Sequence, residues 1–450
     1  MTSNESNPLS SKMRPTAPPF WLPLAVCLGI LGLVLWQSPN FGQHNNQVGS
    51  PIAGDFLQEW IGGYALRTGG PDALFDHHHL KQLQHDESLL GFRWTENEYF
   101  AMVYPPFYYM FWVPFSFLPY AIAAWLFIFS MIAFFLGSHF LMLRCLRSIE
   151  ENGGGRRRST DLNHYLPWLL VAGAIYVPVI RSITTGQKGT FCLFVLAVAF
   201  FLYLNSRRFA SGLTFGLMAF KPQLALPIGI SMLARRQWGF VIGSLLVVGV
   251  FVGMCFSLGG ETCVRYTQFC LGAGDYVETS GYDLYKSHCL FGFLSMLGGG
   301  ESTWHTKISW LISVGLIGVL LVRLNFQIRD LPRSTRRTIE FSCLVLATLL
   351  ATPHLFSYDL TLLLLPMYLL VGLMGQQVFS RFQTIKIATL LVALFVVSGF
   401  SHVVAALYGL QLTTLLMMAL LWVLCWEKPG FEKQPVDAPN ELNALGKNQA

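Results

Sequence analysis

The sequence predicts an all-α, polytopic membrane protein, built as a helical bundle of about 10–12 transmembrane helices. Of its 450 residues, 53% are hydrophobic and only 12% are charged, whereas soluble domains carry roughly 25% charged residues. A spanning helix needs about 20 apolar residues, and the chain offers many runs of that kind. These runs are too long and too uniformly apolar for the alternating strands of a membrane barrel.

The first apolar run, Phe20–Trp36, is predicted to be an uncleaved membrane helix that enters from the cytoplasm. Lys12 and Arg14 precede it, as the positive-inside rule expects of a cytoplasmic tail over residues 1–19. A cleaved signal peptide would begin similarly, but no small-x-small cleavage pattern follows the run. This orientation places the next loop, residues 37–103, outside the membrane.

A single transmembrane domain is expected over residues 20–426, with outer loops at 37–103 and 259–305. The first outer loop is acid-rich and is expected to carry short amphipathic helices. The polar tail, residues 427–450, is predicted to be disordered. The net charge of +6 resides in short clusters between helices, so it indicates cytoplasmic loops and no nucleic-acid partner.

Two stretches predict unusual helices. Residues 101–143 are long enough for a hairpin of two helices, but the basic loop Arg144–Arg158 requires an odd number of crossings. Either one segment there is re-entrant or that loop departs from the charge rule. Between Arg208 and Arg235, about 13 residues per arm give roughly 20 Å of helix against a core of about 30 Å, which predicts a short or re-entrant hairpin with Lys221 at its tip.

Histidine and cysteine patterns offer no metal site. The run His77–His79 with His85 invites a zinc interpretation, but adjacent histidines do not set up tetrahedral geometry and no second spaced pair completes it. Most of the nine cysteines lie in apolar runs, where cysteine behaves as a small hydrophobe. A disulfide between two of Cys263, Cys270 and Cys289 remains open.

Polar and ionisable side chains gather at the predicted outer ends of the helices. Such groups are costly at membrane depth and usually face a cavity. An acid with several cations at a lipid-facing cleft favours a lipid substrate that carries phosphate, because cations hold phosphate and a carboxylate can deprotonate an incoming hydroxyl. The members are Asp55, Glu59, Arg181, Gln187, Lys188, Lys221, His354 and Asp359.

Each of these residues also has a structural interpretation. Asp55 could cap the helix that follows it, and Glu59, one turn later on the same face, could support Asp55, be solvated or be the base itself. Lys221 could extend to the interface, and Arg181 and Lys188 could be interfacial anchors. A lone histidine such as His354 is more often structural than functional.

Short motifs recur along the chain in a characteristic order. They are Asp55-Phe56 with Trp60 and Tyr64, Tyr104-Pro105-Pro106-Phe107, Gly186-Gln187, Lys221-Pro222-Gln223, Arg235-Arg236-Gln237-Trp238, Pro353-His354 and Tyr358-Asp359. Together they resemble glycosyltransferase family 87, within the GT-C superfamily of polytopic membrane glycosyltransferases. The resemblance runs from about residue 20 to 425 and depends on order and spacing, not on any single motif.

The resemblance implies an enzyme of the inner (cytoplasmic) membrane with its active site on the outer, periplasmic side. It would transfer a hexose, typically mannose, from a polyprenyl-phosphate donor to a glycolipid or glycan hydroxyl with inversion. The family's catalytic carboxylate falls on Asp55, with Glu59 as its rival, and the donor phosphate falls on Lys221 and His354.

The remaining site residues follow from this mechanism as expectations. Arg181, Lys188 and Gln187 are expected to join the donor-phosphate site. Trp60, Tyr104, Tyr358 and Asp359 are expected to line the acceptor side of the cleft. The lipid phosphate is already a good leaving group, so no metal, nucleotide or other cofactor is expected.

Two alternatives from other classes share these features. A lipid-substrate transporter or flippase also uses broken helices and charges within the membrane, and a lipid-linked polymer ligase would share an outer-face site. The charges lie toward one face and no inverted repeat is visible, which favours the transferase.

Overall fold

The computed structural model describes residues 21–37, 53–92, 99–152, 168–271, 284–299 and 304–429, and every regular element in these ranges is helical. This confirms the predicted all-α membrane fold. The predicted tail 1–19 lies outside the described residues, as does 430–450. The α-helices are α1 (Trp21–Gln37), α2 (Phe56–Gly69), α3 (His77–Gln84), α4 (Glu87–Leu90), α5 (Pro106–Met110), α6 (Tyr120–Asn152), α7 (Trp168–Ile175), α8 (Val177–Thr184), α9 (Gly189–Leu204), α10 (Arg208–Gly216), α11 (Pro222–Ala234), α12 (Trp238–Ser257), α13 (Gly260–Leu271), α14 (Leu290–Leu297), α15 (Trp304–Gln327), α16 (Arg333–Ala351), α17 (Leu364–Gly375), α18 (Arg381–Val397), α19 (Ser401–Tyr408) and α20 (Leu412–Trp426). Short 3₁₀ turns lie at Pro71–Phe75, Pro114–Phe117, Leu217–Phe220, Leu284–Lys286 and Asp359–Leu363.

By length and hydropathy, three helices of the described ranges could cross a membrane alone: α6, α12 and α15. The number rises to five if each of two bent pairs is one span, α8 with α9 (bent by 117°) and α18 with α19 (bent by 77°). Four shorter apolar helices, of 10–17 residues, complete the apolar set. This criterion recovers fewer spans than the predicted 10–12, because prolines and buried polar residues interrupt many of the apolar runs.

The stretch 101–143 contributes one long helix and not the two-helix hairpin that its length favours. Only α5 and a 3₁₀ turn precede α6, which then runs unbroken for 33 residues. Proline lacks a backbone N–H and pushes the preceding residue toward extended backbone. Pro105 and Pro106 therefore fix where α5 begins, and Pro114 and Pro119 prevent a long helix before α6. A single crossing agrees with the odd number that the following basic residues require.

The segment between Arg208 and Arg235 is a pair of short helices, as its length predicts. Helix α10 ends at Gly216, a 3₁₀ turn follows, and α11 begins at Pro222. Lys221 occupies the break, with its backbone at φ −117° and ψ 74°. A lysine side chain therefore leaves the chain at the centre of an apolar hairpin.

Helix α2 packs against the start of α6, and this packing holds Asp55 and Glu59 in place. The Phe56 ring stacks on Phe127 with centroids 4.5 Å apart. The Trp60 indole N–H donates to the carbonyls of Phe115 and Leu118, each at 3.2 Å. A Cβ on Gly63 would come within 2.5 Å of the Trp112 carbonyl oxygen, so only glycine allows the helix to approach this closely.

Candidate active site

The turn between α8 and α9 docks onto the turn that precedes α2. The Asp55 N–H donates to the Thr185 carbonyl at 2.9 Å. Gly186 has φ +78°, and a Cβ there would lie 2.6 Å from the Ala53 carbonyl oxygen. Glycine satisfies both demands, a left-handed backbone and a close approach. The docking brings residues 187 and 188 beside the first turn of α2.

Asp55 is held by Gln187 and does not cap its helix. It occupies the N-cap position of α2, but its side chain makes no capping hydrogen bond. Instead Asp55 Oδ2 accepts a hydrogen bond from Gln187 Nε2 at 2.7 Å. Burial raises the pKa of the Asp55 carboxyl, and the Gln187 hydrogen bond together with the charges of Lys188 and Lys221 partly offsets that rise. The result is an oriented, partly exposed carboxylate of increased basicity.

Glu59 is committed to a buried ion pair. Its Oε1 pairs with Lys188 Nζ, and the two side chains are 0% and 3% exposed. The same oxygen accepts from the Tyr108 hydroxyl at 3.4 Å, while Oε2 has no hydrogen-bond partner among the described residues. Burial raises the pKa of Glu59, and the Lys188 charge opposes that rise. These contacts exclude both the solvated role for Glu59 and the interfacial-anchor role for Lys188.

Aromatic side chains enclose the Lys188 ammonium. Its Nζ donates to the Tyr104 hydroxyl at 3.3 Å and lies 4.6 Å from the Tyr104 ring centroid. The Tyr108 ring lies 5.7 Å away. Such contacts stabilise a desolvated cation. The Tyr108 ring also stacks on Phe220, centroids 5.3 Å apart, and so connects this half of the site to the Lys221 hairpin.

Lys221 makes the second buried ion pair. Its Nζ lies 2.7 Å from Asp359 Oδ1, with side chains 4% and 6% exposed. The ammonium also lies 5.4 Å from the Tyr358 ring centroid. Lys221 therefore does not extend to the interface. Asp359 and Tyr358, both expected on the acceptor side of the cleft, also contact a lysine that is expected at the donor phosphate.

His354 is a neutral base beside this pair. It is partly buried, and its ring lies 4.4 Å from the Phe356 ring. Burial lowers its pKa to about 4, with the Asp359 charge raising it and the Lys221 charge lowering it. At neutral pH His354 can therefore offer a hydrogen bond to a ligand but no charge.

Arg181, expected with the lysines, lies in a different set of contacts. Its Nη1 donates to Ser357 Oγ at 3.1 Å, and its Nη2 lies 3.2 Å from His402 Nε2. Within the described ranges no carboxylate pairs with it. His402 and the neighbouring His288 do not stand out in the sequence, since each is a single histidine in its own segment.

An aromatic cavity of about 350 Å³ adjoins the first ion pair. One charged side chain, Lys188, lines it, and Phe111 and Leu217 of its lining are also exposed on the molecular surface. The other lining residues are Phe107, Tyr108, Trp112, Phe115, Phe127, Ser130, Met131, Phe134, Phe191, Phe220 and Phe251. A second apolar groove, of about 810 Å³, runs along α11, α15 and α16 to Pro222 and Pro353.

One expectation from the sequence, the place of Trp60 in the cleft, changes with the structure. Trp60 is 2% exposed and lines neither cavity, because its ring packs between α2 and the start of α6. The histidine run begins α3, where Asp76 accepts a hydrogen bond from the His79 N–H at 3.0 Å. No three potential metal ligands are grouped anywhere in the described ranges. All nine cysteines are free, so no disulfide links Cys263, Cys270 and Cys289.

Comparison with known protein families identifies the family of this chain. The family model of Glycosyltransferase family 87 matches residues 102–353, more than half of the chain. The match includes Lys188 and Lys221, begins after Asp55 and ends one residue before His354. No curated protein and no solved structure matches significantly. The chain belongs to glycosyltransferase family 87, and the protein is a membrane glycosyltransferase.

Proposed function

We propose that the protein transfers a hexose, mannose in the first instance, from a polyprenyl-phosphate donor to a hydroxyl of a glycolipid or glycan. The reaction takes place at the outer face of the cytoplasmic membrane and inverts the anomeric centre. The observation that carries the proposal is Asp55. It is a partly exposed carboxylate held by Gln187 within the field of two buried lysines.

The choice of Asp55 over Glu59 as general base rests on their partners. A base must reach the acceptor hydroxyl to within about 2.6–3.2 Å, directly or through one water. Glu59 is fully buried and its nearer oxygen is engaged by Lys188, whereas Asp55 is partly exposed and pairs with a neutral amide. Glu59 is then a positioning residue that keeps Lys188 in place.

The aromatic cavity supports a donor with an apolar tail. Its lining is almost wholly aromatic and aliphatic, it includes the surface-exposed Phe111 and Leu217, and Lys188 lies in its wall. An isoprenoid chain in this cavity would bring its phosphate toward the site. The phosphate would then meet Lys188, Gln187, Lys221 and His354, with Arg181 beyond them.

The chemistry follows from these positions. Asp55 accepts the proton as the acceptor oxygen attacks the anomeric carbon from the side opposite the phosphate, so a single displacement inverts the centre. A positioned general base contributes about 10²- to 10⁴-fold. The departing phosphate keeps the bonding electron pair, and nearby cations stabilise that charge. Tyr104, Tyr358 and Asp359 would border the sugar and acceptor.

Incubation of the purified protein in detergent with polyprenyl-phosphate [¹⁴C]mannose and extracted membrane lipids tests the proposal. Label should move from the donor into a second lipid or glycan product, and the variant Asp55→Asn should abolish that transfer. Thr190→Val, a near-isosteric change at a buried residue of α9 whose hydroxyl has no hydrogen-bond partner among the described residues, is the control. Label that crosses the membrane of reconstituted vesicles without transfer would contradict the proposal and favour a transporter.

A further inference from the structure

The two buried lysines of the site are already balanced by carboxylates. Lys188 pairs with Glu59 and Lys221 with Asp359, while Asp55 adds a third acid nearby. If the three acids and both lysines are ionised, this cluster has one excess negative charge. The electrostatic attraction between this cluster and a phosphate is therefore weaker than two lysines alone would give, because the carboxylates offset their charge. Another cation is needed to hold a doubly charged phosphate.

That need arises in the reaction itself, so this inference rests on the proposed function. The donor is a phosphodiester with one negative charge. When the bond from the anomeric carbon to oxygen breaks, the oxygen keeps the electron pair and the polyprenyl phosphate becomes a monoester with a second ionisable oxygen. The acceptor proton goes to Asp55. The phosphate therefore gains one negative charge in the transfer step.

We propose that Arg181, Ser357 and His402 form an additional subsite for this phosphate monoester, beside the two lysine pairs, which takes up its second negative charge, with His288 as a neutral neighbour. Arg181 is partly buried and has no carboxylate partner among the described residues. It uses two guanidinium nitrogens for Ser357 and His402, and a guanidinium has five N–H donors. Arginine is the side chain best suited to a planar, bidentate hold on phosphate.

The neighbours of Arg181 can also donate hydrogen bonds. His402 Nε2 accepts from Arg181, so the hydrogen of the neutral ring resides on Nδ1. That Nδ1 is buried without a partner among the described residues. The Ser357 oxygen accepts from Arg181, which leaves its hydroxyl hydrogen to donate. An oxyanion would thus find a cation and two neutral donors on adjacent residues.

His288 lies near Arg181 and His402 and adds no negative charge to their surroundings. It is 0% exposed, and neither ring nitrogen has a hydrogen-bond partner within the described ranges. Its position is set through the backbone, since its N–H donates to the Leu355 carbonyl at 2.8 Å and its carbonyl accepts from Thr414 Oγ1 at 2.9 Å. The charges of Arg181 and Lys286 both act on His402.

Chain connectivity places this subsite next to the reacting groups. Ser357 lies two residues before Asp359, the partner of Lys221. The Arg181 carbonyl accepts a hydrogen bond from Thr185 Oγ1 at 2.7 Å, and the Thr185 carbonyl in turn accepts from the Asp55 N–H. The turn between α8 and α9 therefore links the backbone of Arg181 to the backbone of Asp55, the proposed base.

The test measures binding of a short-chain polyprenyl phosphate to the full-length protein in detergent, by native mass spectrometry or isothermal titration. Arg181→Gln should weaken this binding by roughly tenfold or more, the effect of a lost charge-assisted contact. Arg181→Lys should recover part of it, and Ser357→Ala should lose several-fold. Arg265→Gln, at a cation that pairs with Glu261, is the matched control and should bind as the wild type does.

The outcomes separate this inference from the proposed function. Wild-type binding with an unchanged affinity in folded Arg181→Gln and Ser357→Ala would overturn the subsite and leave the donor class intact. Loss of polyprenyl phosphate binding in Arg181→Gln supports the subsite even if Asp55 proves not to be the base. Competition by inorganic phosphate would assign recognition to the phosphate alone, and its failure to compete would assign it to the lipid-borne phosphate. A wild-type protein that binds neither ligand would refute both proposals.

Discussion

The hydrogen bond from Gln187 to Asp55 gives the sharpest prediction. In Gln187→Leu the side chain keeps much of its volume but can no longer donate to Asp55 Oδ2, a contact of 2.7 Å. That hydrogen bond is one of the causes that lower the pKa of Asp55 against the rise from burial. Its removal should make the carboxyl harder to ionise. The acidic limb of kcat/KM, which reports the free enzyme's base, should therefore move to higher pH.

The size of the effect follows from the strength of the contact. A hydrogen bond to a charged group contributes about 1.5–3 kcal/mol, and about 1.4 kcal/mol corresponds to a factor of ten. On the acidic side of the limb, Gln187→Leu should be slower than the wild type by roughly tenfold to a hundredfold. Above the limb, where Asp55 is ionised in both proteins, the ratio of the two rates should no longer change with pH.

The assay is initial-rate transfer of labelled mannose from a polyprenyl-phosphate donor at subsaturating substrate, from pH 4 to 9. Thr190→Val is the control, since Thr190 is fully buried on α9 and its hydroxyl has no hydrogen-bond partner among the described residues. Its pH profile should match the wild type. An acidic limb that stays in place, or moves to lower pH, in folded Gln187→Leu would refute the assignment of Asp55 as the titrating base.

Three further predictions concern Lys188, Lys221 and His288. Lys188→Met should lower the free energy of unfolding by about 3–5 kcal/mol because it leaves Glu59 buried and unpaired, and adding Glu59→Gln should restore much of that loss; additive effects in chemical denaturation would show that the pair is not coupled. Lys221→Ala should weaken donor binding, and an unchanged affinity would remove Lys221 from the donor site. Burial holds the pKa of His288 at about 3, below its ordinary 6.5, so its contribution to stability is complete above about pH 6.5 and is lost as the pH falls toward 3. His288→Leu should therefore lose less Tm than the wild type between pH 7 and pH 4.5, and an equal loss would contradict this.

Much of the fold follows from the sequence because its signals are local. The short hairpin around Lys221 is predicted from the distance between Arg208 and Arg235 alone. The turn at Gly186 and the end of α16 before Pro353 likewise coincide with residues that end helices. The length of 101–143 is misleading for the same physical reason, since its four prolines prevent a second long helix before α6.

The pairing of charges could not be predicted from the sequence. Asp55 and Gln187 are separated by 132 residues, and Lys221 and Asp359 by 138. Nothing local indicates that each lysine is paired with an acid, because the pairing depends on how α2, the start of α9 and the 3₁₀ turn Asp359–Leu363 pack together. Trp60 shows the same difficulty, since a core aromatic and a cleft aromatic look alike along a chain. The sequence gives no reason to group His288 and His402 with Arg181, because no regular spacing links the three residues.

The central claim is that Asp55 is the base of an inverting sugar transfer from a polyprenyl-phosphate donor. The most direct test compares Asp55→Asn with Glu59→Gln in the labelled-mannose assay, with donor binding and folding measured on the same preparations. We predict that Asp55→Asn binds the donor but transfers at least about 100-fold more slowly, and that Glu59→Gln retains the acidic limb of the wild type. Wild-type transfer by Asp55→Asn would contradict the account.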